Sequence, residues 1–221
     1  MHRTKIETTE FVWTPASGCE GIGCAVKPVC WASRQVKRLG QFCSKCPSFI
    51  PHMHLDRLNE PLQAKKPHKI FPVSTGDLFG LQSDQTKLIL DVMEQAYWHT
   101  FQPLTKQPQN ALPFSPFPEN TWFGVSVNCQ ADVWRLDILR KIRARIKFGY
   151  FEPLYSGIDY DLSFLDWIVI GAQTRPNKQP KAEWVKELLY QAERNKTPVF
   201  LKNNLSWETR LQEFPDLKEA A

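Results

Sequence analysis

Short runs rich in β-branched and aromatic residues alternate along the chain with longer segments whose apolar residues recur at helical spacing. The short runs predict strands over 11–14, 69–74, 100–105, 121–127, 147–151, 167–171 and 198–201. The longer segments predict helices over 31–39, 83–97, 131–145 and 181–195. The proline-rich segment 107–120 is predicted to be a loop.

This alternation predicts an α/β fold with a mostly parallel sheet. The run at 167–171 is apolar at nearly every position, which is typical of a strand that is covered on both faces. A closed eight-stranded barrel takes ~250 residues, and the chain is shorter than that, with 221. We therefore expect a partial (β/α) barrel of about six or seven strands, forming a single domain over residues 1–221.

Polar or ligand-type residues follow every predicted strand. In parallel α/β folds the chemistry collects at the carboxyl ends of the strands, so these residues mark the expected site. They are Cys19, Thr75, Gly76, Asp77, Lys106, Ser126, Asn128, Glu152, Gln173, Thr174, Lys202 and Asn203.

Composition and charge narrow the class of protein only slightly. The chain is 42% hydrophobic and 23% charged, as in ordinary globular domains. Its net charge of +5 permits a phosphate-bearing partner without requiring one. No secretory signal or membrane-spanning run is visible, so we expect a cytoplasmic protein without membrane contact. In that compartment, clustered cysteines indicate metal or redox chemistry more often than disulfides.

Cys19, Cys24 and Cys30 lie on one glycine-rich loop after the first predicted strand. Three thiolates bind three irons of a [4Fe–4S] cubane and leave the fourth iron open to a small molecule, although the same soft ligands also suit zinc. The alternative is that all three are buried free cysteines that act as small hydrophobic residues. Their clustering beside glycines favours a metal centre.

A second group consists of Cys43, Cys46, His52 and His54, in the pattern C-x2-C-x5-H-x-H. Two sulfurs and two nitrogens are a common ligand set for tetrahedral zinc, although the two histidines are closer in sequence than in a zinc finger. The cysteines are alternatively a redox-active pair or ligands of a second cluster. In a further alternative, His54 caps the following helix and His52 is a surface residue. We interpret residues 40–60 as a cysteine/histidine insertion in the domain.

Basic residues mark two further places. The segment 131–147 carries Arg135, Arg140, Lys141, Arg143, Arg145 and Lys147. Such a stripe contacts nucleic-acid phosphates in some proteins, but a solvated outer face is the more common explanation. Lys106 and Lys202, at strand ends, are the better candidates for binding a substrate phosphate or carboxylate, with ordinary surface lysines as the alternative.

The cysteine loop resembles the signature of a known family, the phage-associated three-cysteine-motif proteins. Here TPASGC at 14–19 is followed by GC at 23–24 and CWA at 30–32, whereas the family pattern is WNP-x-x-GC, then GC, then CYA. Further similar runs cover nearly the whole chain. They are PHMHLDRLNEPL at 51–62, KIFPVSTGDLFG at 69–80, LTKQP at 104–108, NTWFGVSVN at 120–128, FGYFEPLYSGI at 148–158, WIVIGAQ at 167–173 and PVFLKN at 198–203.

That family is similar to a distant branch of the radical S-adenosylmethionine barrel enzymes. The resemblance implies a radical-SAM-like fold and a [4Fe–4S] cluster on Cys19, Cys24 and Cys30, with S-adenosylmethionine on the open iron. An electron from a reductant such as flavodoxin or ferredoxin would then give a 5′-deoxyadenosyl radical. The implied cofactor-binding residues are Gly76, Asp77, Ser126, Asn128, Glu152 and Gly171. The substrate-binding candidates are Lys106, Lys202 and Asn203.

The chain departs from the radical-enzyme pattern in its cysteine spacing. The usual loop is C-x3-C-x2-C, and both intervals are longer here. Three hypotheses follow. The first is a radical S-adenosylmethionine enzyme acting on an unknown substrate, with nucleic acid or a nucleotide as the candidate class. The second is a zinc-stabilised nucleic-acid-binding module. The third is a non-catalytic iron–sulfur subunit of a two-component system, because the family is often encoded beside a partner protein.

Overall fold

Eleven strands and five α-helices make up the computed structural model, which describes residues 1–38 and 43–216. The strands are β1 (His2–Arg3), β2 (Phe11–Trp13), β3 (Ala16–Ser17), β4 (His52–Met53), β5 (Lys69–Pro72), β6 (Thr100–Phe101), β7 (Leu104–Thr105), β8 (Trp122–Ser126), β9 (Ile146–Phe151), β10 (Trp167–Ile170) and β11 (Val199–Leu201). The helices are α1 (Trp31–Arg38), α2 (Glu60–Gln63), α3 (Ser83–Gln95), α4 (Trp134–Lys141) and α5 (Ala182–Asn195).

The strands form two main sheets, of four and five strands, and β3 and β4 form a separate pair. One main sheet has the order β1-β2-β5-β6 and the other, entirely parallel, has the order β11-β10-β9-β8-β7. Only β1 pairs antiparallel in the first sheet. A parallel bridge from Phe101 to Thr121 links the two. The predicted α/β fold with a mostly parallel sheet is therefore confirmed.

The strand predicted over 100–105 is divided into β6 and β7. Pro103 lies between the two pieces and has no N–H to donate, so the ladder is interrupted there. Its carbonyl oxygen still accepts a hydrogen bond from the Gly124 N–H (2.9 Å). The proline thus divides the predicted strand into two pieces. β6 pairs in the first sheet and β7 in the second, so the two pieces connect the sheets.

No ladder joins β11 to β1, the edge strand of the first sheet, among the residues that the structure describes, so the strands do not close into a barrel. Segment 211–213 lies along β11 instead. The Leu201 N–H donates to the Leu211 carbonyl oxygen (2.7 Å), and the Glu213 N–H donates to that of Val199 (3.0 Å). The expectation of a partial rather than a closed barrel agrees with this arrangement.

Alternate residues of the parallel strands enter two separate apolar clusters, because successive strand side chains point to opposite faces. On β10, Ile168 and Ile170 pack in the larger cluster, which includes the inner faces of α3, α4 and α5. Trp167 and Val169 pack on the other face, in a smaller cluster that comprises Trp122, Ile146, Phe148, Trp167, Val169 and Phe200. Both faces of the parallel sheet are therefore covered, as the apolar run at 167–171 predicted.

Helix predictions agree with the structure at α3 and α5 and are too long at α4. In place of the predicted helix over 131–145, a 3-10 turn (Gln130–Asp132) leads into the eight residues of α4. The Asp132 carboxylate in this turn accepts a bond from the Asn128 N–H (2.9 Å). The segment predicted as a loop, 107–120, contains a 3-10 helix, Pro108–Phe114.

Some predictions fall partly on residues that the structure does not describe. The last residue of the helix predicted over 31–39, the start of the expected insertion at 40–60 and the end of the expected domain at 217–221 lie outside the described residues. Within residues 1–38 and 43–216, no helix has the length and apolarity that crossing a bilayer requires.

Candidate metal and cofactor site

The three-cysteine loop begins at Gly18, where the chain leaves β3 and meets two other backbone segments. Gly18 forms a parallel bridge with Gly76, which follows β5. The Cys19 N–H donates to the Phe49 carbonyl oxygen (3.0 Å). Gly18 has a φ of +95°, and a Cβ there would overlap the carbonyl oxygen of Ile50. Cys19 is therefore fixed between the β5 turn and the segment that precedes β4.

Gly76 is needed because two backbones approach each other closely. A Cβ at this position would lie 2.6 Å from the Gly18 carbonyl oxygen, nearer than real Cβ contacts. Gly76 was predicted to bind a cofactor. The structure brings it beside the cysteine loop and gives it a packing role there.

The thiols of Cys19, Cys24 and Cys30 are half-buried, and none forms a disulfide. Burial is the main cause that raises the pKa of Cys19 to about 11, and the negative charges of Asp77, Cys24 and Cys30 act in the same direction. Backbone N–H groups face two of the sulfurs, from Gly21 to Cys19 (3.2 Å) and from Ser33 to Cys30 (3.4 Å).

This donor set fits an iron–sulfur cluster. The charges of Cys24 and Cys30 act on Cys19, and a bound cation removes such repulsion because it takes the place of the protons. N–H groups directed at cluster sulfurs are among the features by which proteins tune such centres. The pattern of three cysteines on one loop therefore suits the cluster that the sequence predicted.

Arg135 connects the middle of the loop to the end of β8. It is only 1% exposed, and its guanidinium donates to the carbonyl oxygens of Ser126 (2.8 Å) and Gly23 (3.3 Å). It also pairs with the Asp132 carboxylate (2.9 Å), which supplies the partner that a buried charge requires. Because Gly23 directly precedes Cys24, the guanidinium holds the backbone beside the second cysteine.

The sequence interpretation of Arg135 was wrong, because it was placed with the basic residues of a solvated outer face. The signal that would have separated it is the Asp132-x-x-Arg135 spacing. At that spacing two residues of one helical turn face each other and can enter the interior as a pair.

Asp77 was predicted to receive the methionine amine of S-adenosylmethionine. Its Oδ1 accepts bonds from the Phe79 N–H (3.1 Å) and the Thr105 hydroxyl (2.7 Å), and its Oδ2 accepts one from the Lys106 N–H (3.0 Å). These bonds use three of roughly four acceptor positions of a carboxylate. Asp77 thereby ties the turn after β5 to the end of β7, and Lys106 takes part through its backbone.

A half-buried ion pair lies at the carboxyl end of the parallel sheet. The Nζ of Lys202 lies 3.1 Å from Glu152 Oε2, and the Asn204 amide donates to Glu152 Oε1 (2.7 Å). Burial alone would lower the pKa of Lys202, but the charges of Tyr150 and Glu152 raise it above its ordinary value. A Cβ at Gly171 would lie 2.9 Å from the Glu152 carboxyl carbon, so this glycine makes room for Glu152. Asn204 was not among the sequence candidates.

The remaining candidates lie around the same end of the sheet. Ser126 and Asn128 are buried, and the Asn128 amide donates to the Pro153 carbonyl oxygen (2.9 Å). The Oδ1 of Asn128 has no hydrogen-bond partner in the described part of the chain, which makes it an acceptor left over for a ligand. Asn203 is exposed, and its N–H donates to Glu7 (2.9 Å).

The second group of candidates comes together at one point. The ligand atoms of Cys43, Cys46, His52 and His54 all lie within 4.8 Å of one another. His52 is buried, so its interpretation as a surface residue was wrong. His54 is also buried and makes no side-chain bond to the 3-10 turn that follows it, so its interpretation as a cap was wrong too.

Comparison with known proteins identifies a protein family and a solved structure of similar fold. No curated protein matches the chain. A solved structure of a spore photoproduct lyase mutant with dinucleoside spore photoproduct is similar, with a TM-score of 0.51 and 14% sequence identity. The match covers 88% of this chain and 54% of the lyase chain, so the chain spans about half of that protein's length. At this identity the likeness concerns the fold alone.

The phage association implied by the sequence resemblance stays a prediction.

The match to a protein family is broader than the structural likeness and covers residues 3–218. Because that match includes nearly the whole chain, the protein belongs to the family described as "Protein of unknown function (DUF5131)".

Proposed function

We propose that this protein is an iron–sulfur enzyme of the radical S-adenosylmethionine type. The observation that carries the proposal is the three-cysteine loop at the carboxyl end of parallel strands, anchored by the β5 turn and by a buried arginine. The likeness to a lyase structure over 88% of this chain adds support at the level of the fold, because the sequence resemblance implies a fold of the same kind.

In this proposal the chain would bind and orient the cluster and S-adenosylmethionine, and these bound groups would supply the one-electron chemistry that side chains lack. Cys19, Cys24 and Cys30 would hold the cluster. Arg135 would keep the Gly23 carbonyl oxygen, and with it the neighbouring cysteine, at a fixed distance from β8. The Oδ1 of Asn128 would accept a bond from the adenosyl or methionyl part of the cofactor.

Glu152 and Lys202 are the proposed contacts at the open end of the sheet. Their ion pair is only partly buried, with side-chain exposures of 16% and 13%, so a ligand that reaches this end can contact either group. The carboxylate suits a hydroxyl or amine, and the ammonium suits a phosphate or carboxylate. Lys106 and Asn203 would add contacts to the substrate at the rim of this end of the sheet.

We propose nucleotides or nucleic acid as the substrate class. The net charge of +5 permits an anionic partner, and the lyase of similar fold was solved with dinucleoside spore photoproduct. Partner proteins and the electron donor, flavodoxin or ferredoxin, stay predictions from the sequence resemblance.

One observation favours a second candidate, a non-catalytic iron–sulfur subunit. Asp77, the residue expected to receive the methionine amine, already accepts three hydrogen bonds from the chain. A carboxylate bound in this way has little capacity left for the cofactor.

Cleavage of S-adenosylmethionine distinguishes the two candidates. The anaerobically reconstituted protein is reduced with dithionite in the presence of S-adenosylmethionine, and 5′-deoxyadenosine is quantified. We expect production by the wild type and by Cys129→Ser, which alters a cysteine outside the loop, and none by Cys24→Ser. Intact S-adenosylmethionine with a fully loaded cluster would instead support the non-catalytic subunit.

A further inference from the structure

We propose that Cys43, Cys46, His52 and His54 bind a single zinc ion, and that this ion fixes the Cys19 end of the cluster loop. The proposal goes beyond the radical-enzyme function, because it concerns a second metal with a positioning role. It rests on the distances between the four ligand atoms and on the contacts that connect them to the loop.

The distances match a tetrahedral site. Zinc–sulfur bonds of ~2.3 Å and zinc–nitrogen bonds of ~2.0 Å place a sulfur and a nitrogen about 3.6 Å apart at a tetrahedral angle. The His52 Nε2 lies 3.4 Å from Cys43 Sγ and 3.6 Å from Cys46 Sγ. The His54 Nε2 lies 3.8 Å from Cys46 Sγ.

The proton arrangement leaves nitrogen lone pairs directed at the metal position. The Nδ1 of His52 lies 2.8 Å from the Ile50 carbonyl oxygen, which only accepts, so Nδ1 carries the proton and Nε2 is free to coordinate. The Ser17 hydroxyl lies near His54 Nε2 (3.2 Å) and also near Thr75 Oγ1 (3.0 Å). Donation to Thr75 leaves the His54 nitrogen available as a ligand.

A single ion suits this geometry better than a second cluster. In a two-iron centre with mixed ligands, the imidazoles and thiolates bind different irons. Here each imidazole Nε2 lies within 3.8 Å of a cysteine sulfur, and all four ligand atoms lie within 4.8 Å of one another. Two thiolates and two imidazoles around one ion are a common structural zinc set.

The site is joined to the cluster loop by backbone contacts. Strand β4 pairs with β3 so that His52 lies opposite Ser17, two residues before Cys19. Between the ligands Cys46 and His52 lie Phe49, whose carbonyl oxygen receives the Cys19 N–H, and Ile50, against which Gly18 packs. An ion that closes residues 46–52 into a loop therefore holds the surface on which Cys19 rests.

β3 and β4 are only two residues long, so their ladder contributes few hydrogen bonds of its own. A metal that binds the folded arrangement stabilises it, because the unfolded chain offers no preformed site. Without the ion, we expect the Cys19 end of the loop to lose its fixed position.

The test measures zinc and iron per chain separately in the full-length protein. We expect about one zinc in the wild type and in a Cys19→Ser/Cys24→Ser/Cys30→Ser variant, which lacks iron. Zinc retained without iron establishes the site whether or not the radical function is correct. Absence of zinc from both proteins would overturn the site.

The coupling is tested with Cys46→Ser and its matched control Cys129→Ser. We expect Cys46→Ser to lose zinc and to take up at least threefold less iron on reconstitution, while the control keeps both. Unchanged iron in zinc-free Cys46→Ser would refute the positioning role. Should Cys46→Ser fail to fold, His52→Cys supplies the conservative variant, since a Cys3His set still binds zinc. Cobalt(II) added to His52→Cys is expected to give the absorption of a tetrahedral thiolate site, and its absence would count against the proposal.

Discussion

Replacing Arg135 by methionine tests how the cysteine loop is held. The guanidinium side chain is 2% exposed and makes an ion pair with Asp132 together with bonds to the carbonyl oxygens of Ser126 and Gly23. Methionine fills a similar volume without a charge or a donor. The substitution therefore leaves one carboxylate and two carbonyl oxygens with fewer partners.

The expected loss of stability is large because a partner is removed from a buried pair. Such losses are about 3–5 kcal/mol, a substantial fraction of the ~5–15 kcal/mol that stabilises a typical domain. Arg140→Met is the matched control on the same helix. Its pair with Asp161 is 38% and 64% exposed, so the loss of that pair is expected to cost little stability.

The assay is urea unfolding of both variants, followed by iron determination after reconstitution. We expect Arg135→Met to lose several kcal/mol more than Arg140→Met and to bind less iron, because Gly23 is no longer held. Adding Asp132→Asn to Arg135→Met is expected to recover part of the loss, since the orphaned carboxylate is then neutral. Equal unfolding free energies for Arg135→Met and Arg140→Met would show that the buried pair of Arg135 contributes no more to stability than the exposed pair of Arg140.

Three further perturbations address the loop, the ion pair at the end of the sheet and a buried histidine. Gly76→Ala is expected to lower the iron bound per chain, because its Cβ would lie 2.6 Å from the loop backbone, whereas Gly157→Ala, whose Cβ would meet a side chain at 3.3 Å, serves as the unaffected control. Lys202→Met is expected to cost a few kcal/mol in urea unfolding, against about 0–1 kcal/mol for Lys181→Met, which removes an exposed pair. Burial lowers the pKa of His99 below its usual 6.5, so the unfolded state takes up a proton at a higher pH than the folded state does. The free energy of unfolding is therefore expected to fall as the pH drops below about 6.5, and to fall less in His99→Gln.

Each of these expectations has a clear contrary result. Normal iron content in Gly76→Ala would show that the loop accommodates the extra carbon. Equal stability losses in the two lysine variants would show that the pair of Lys202 and Glu152 contributes no more than an exposed one. An unchanged pH dependence in His99→Gln would assign the acid sensitivity to other groups.

Much of the fold follows from local pattern. The run at 167–171 is apolar because Trp167 and Ile168 enter clusters on opposite faces of the sheet, and that pattern is visible without any structure. The sequence predicts one strand over 100–105, and the pattern does not show that Pro103 divides it between two sheets. That division depends on pairing between distant residues, of β6 with β5 and of β7 with β8.

The candidate site was predictable where one residue type carries the chemistry. Cysteines and histidines are few, so their spacing alone identified both metal candidates. Arg135 was missed because arginine is common on helix surfaces, and only its pair with Asp132 makes burial favourable. The role of Gly171 was also missed, since it depends on where the Glu152 side chain lies in three dimensions.

Iron and sulfide analysis decides whether the three-cysteine loop holds an iron–sulfur cluster. The protein is purified and reconstituted without oxygen, alongside Cys24→Ser and the control Cys129→Ser. We expect about four irons and four sulfides per chain in the wild type and the control, and a large loss in Cys24→Ser. A wild type that takes up no iron, or a Cys24→Ser variant that binds as much as the wild type, would show that the loop holds no cluster.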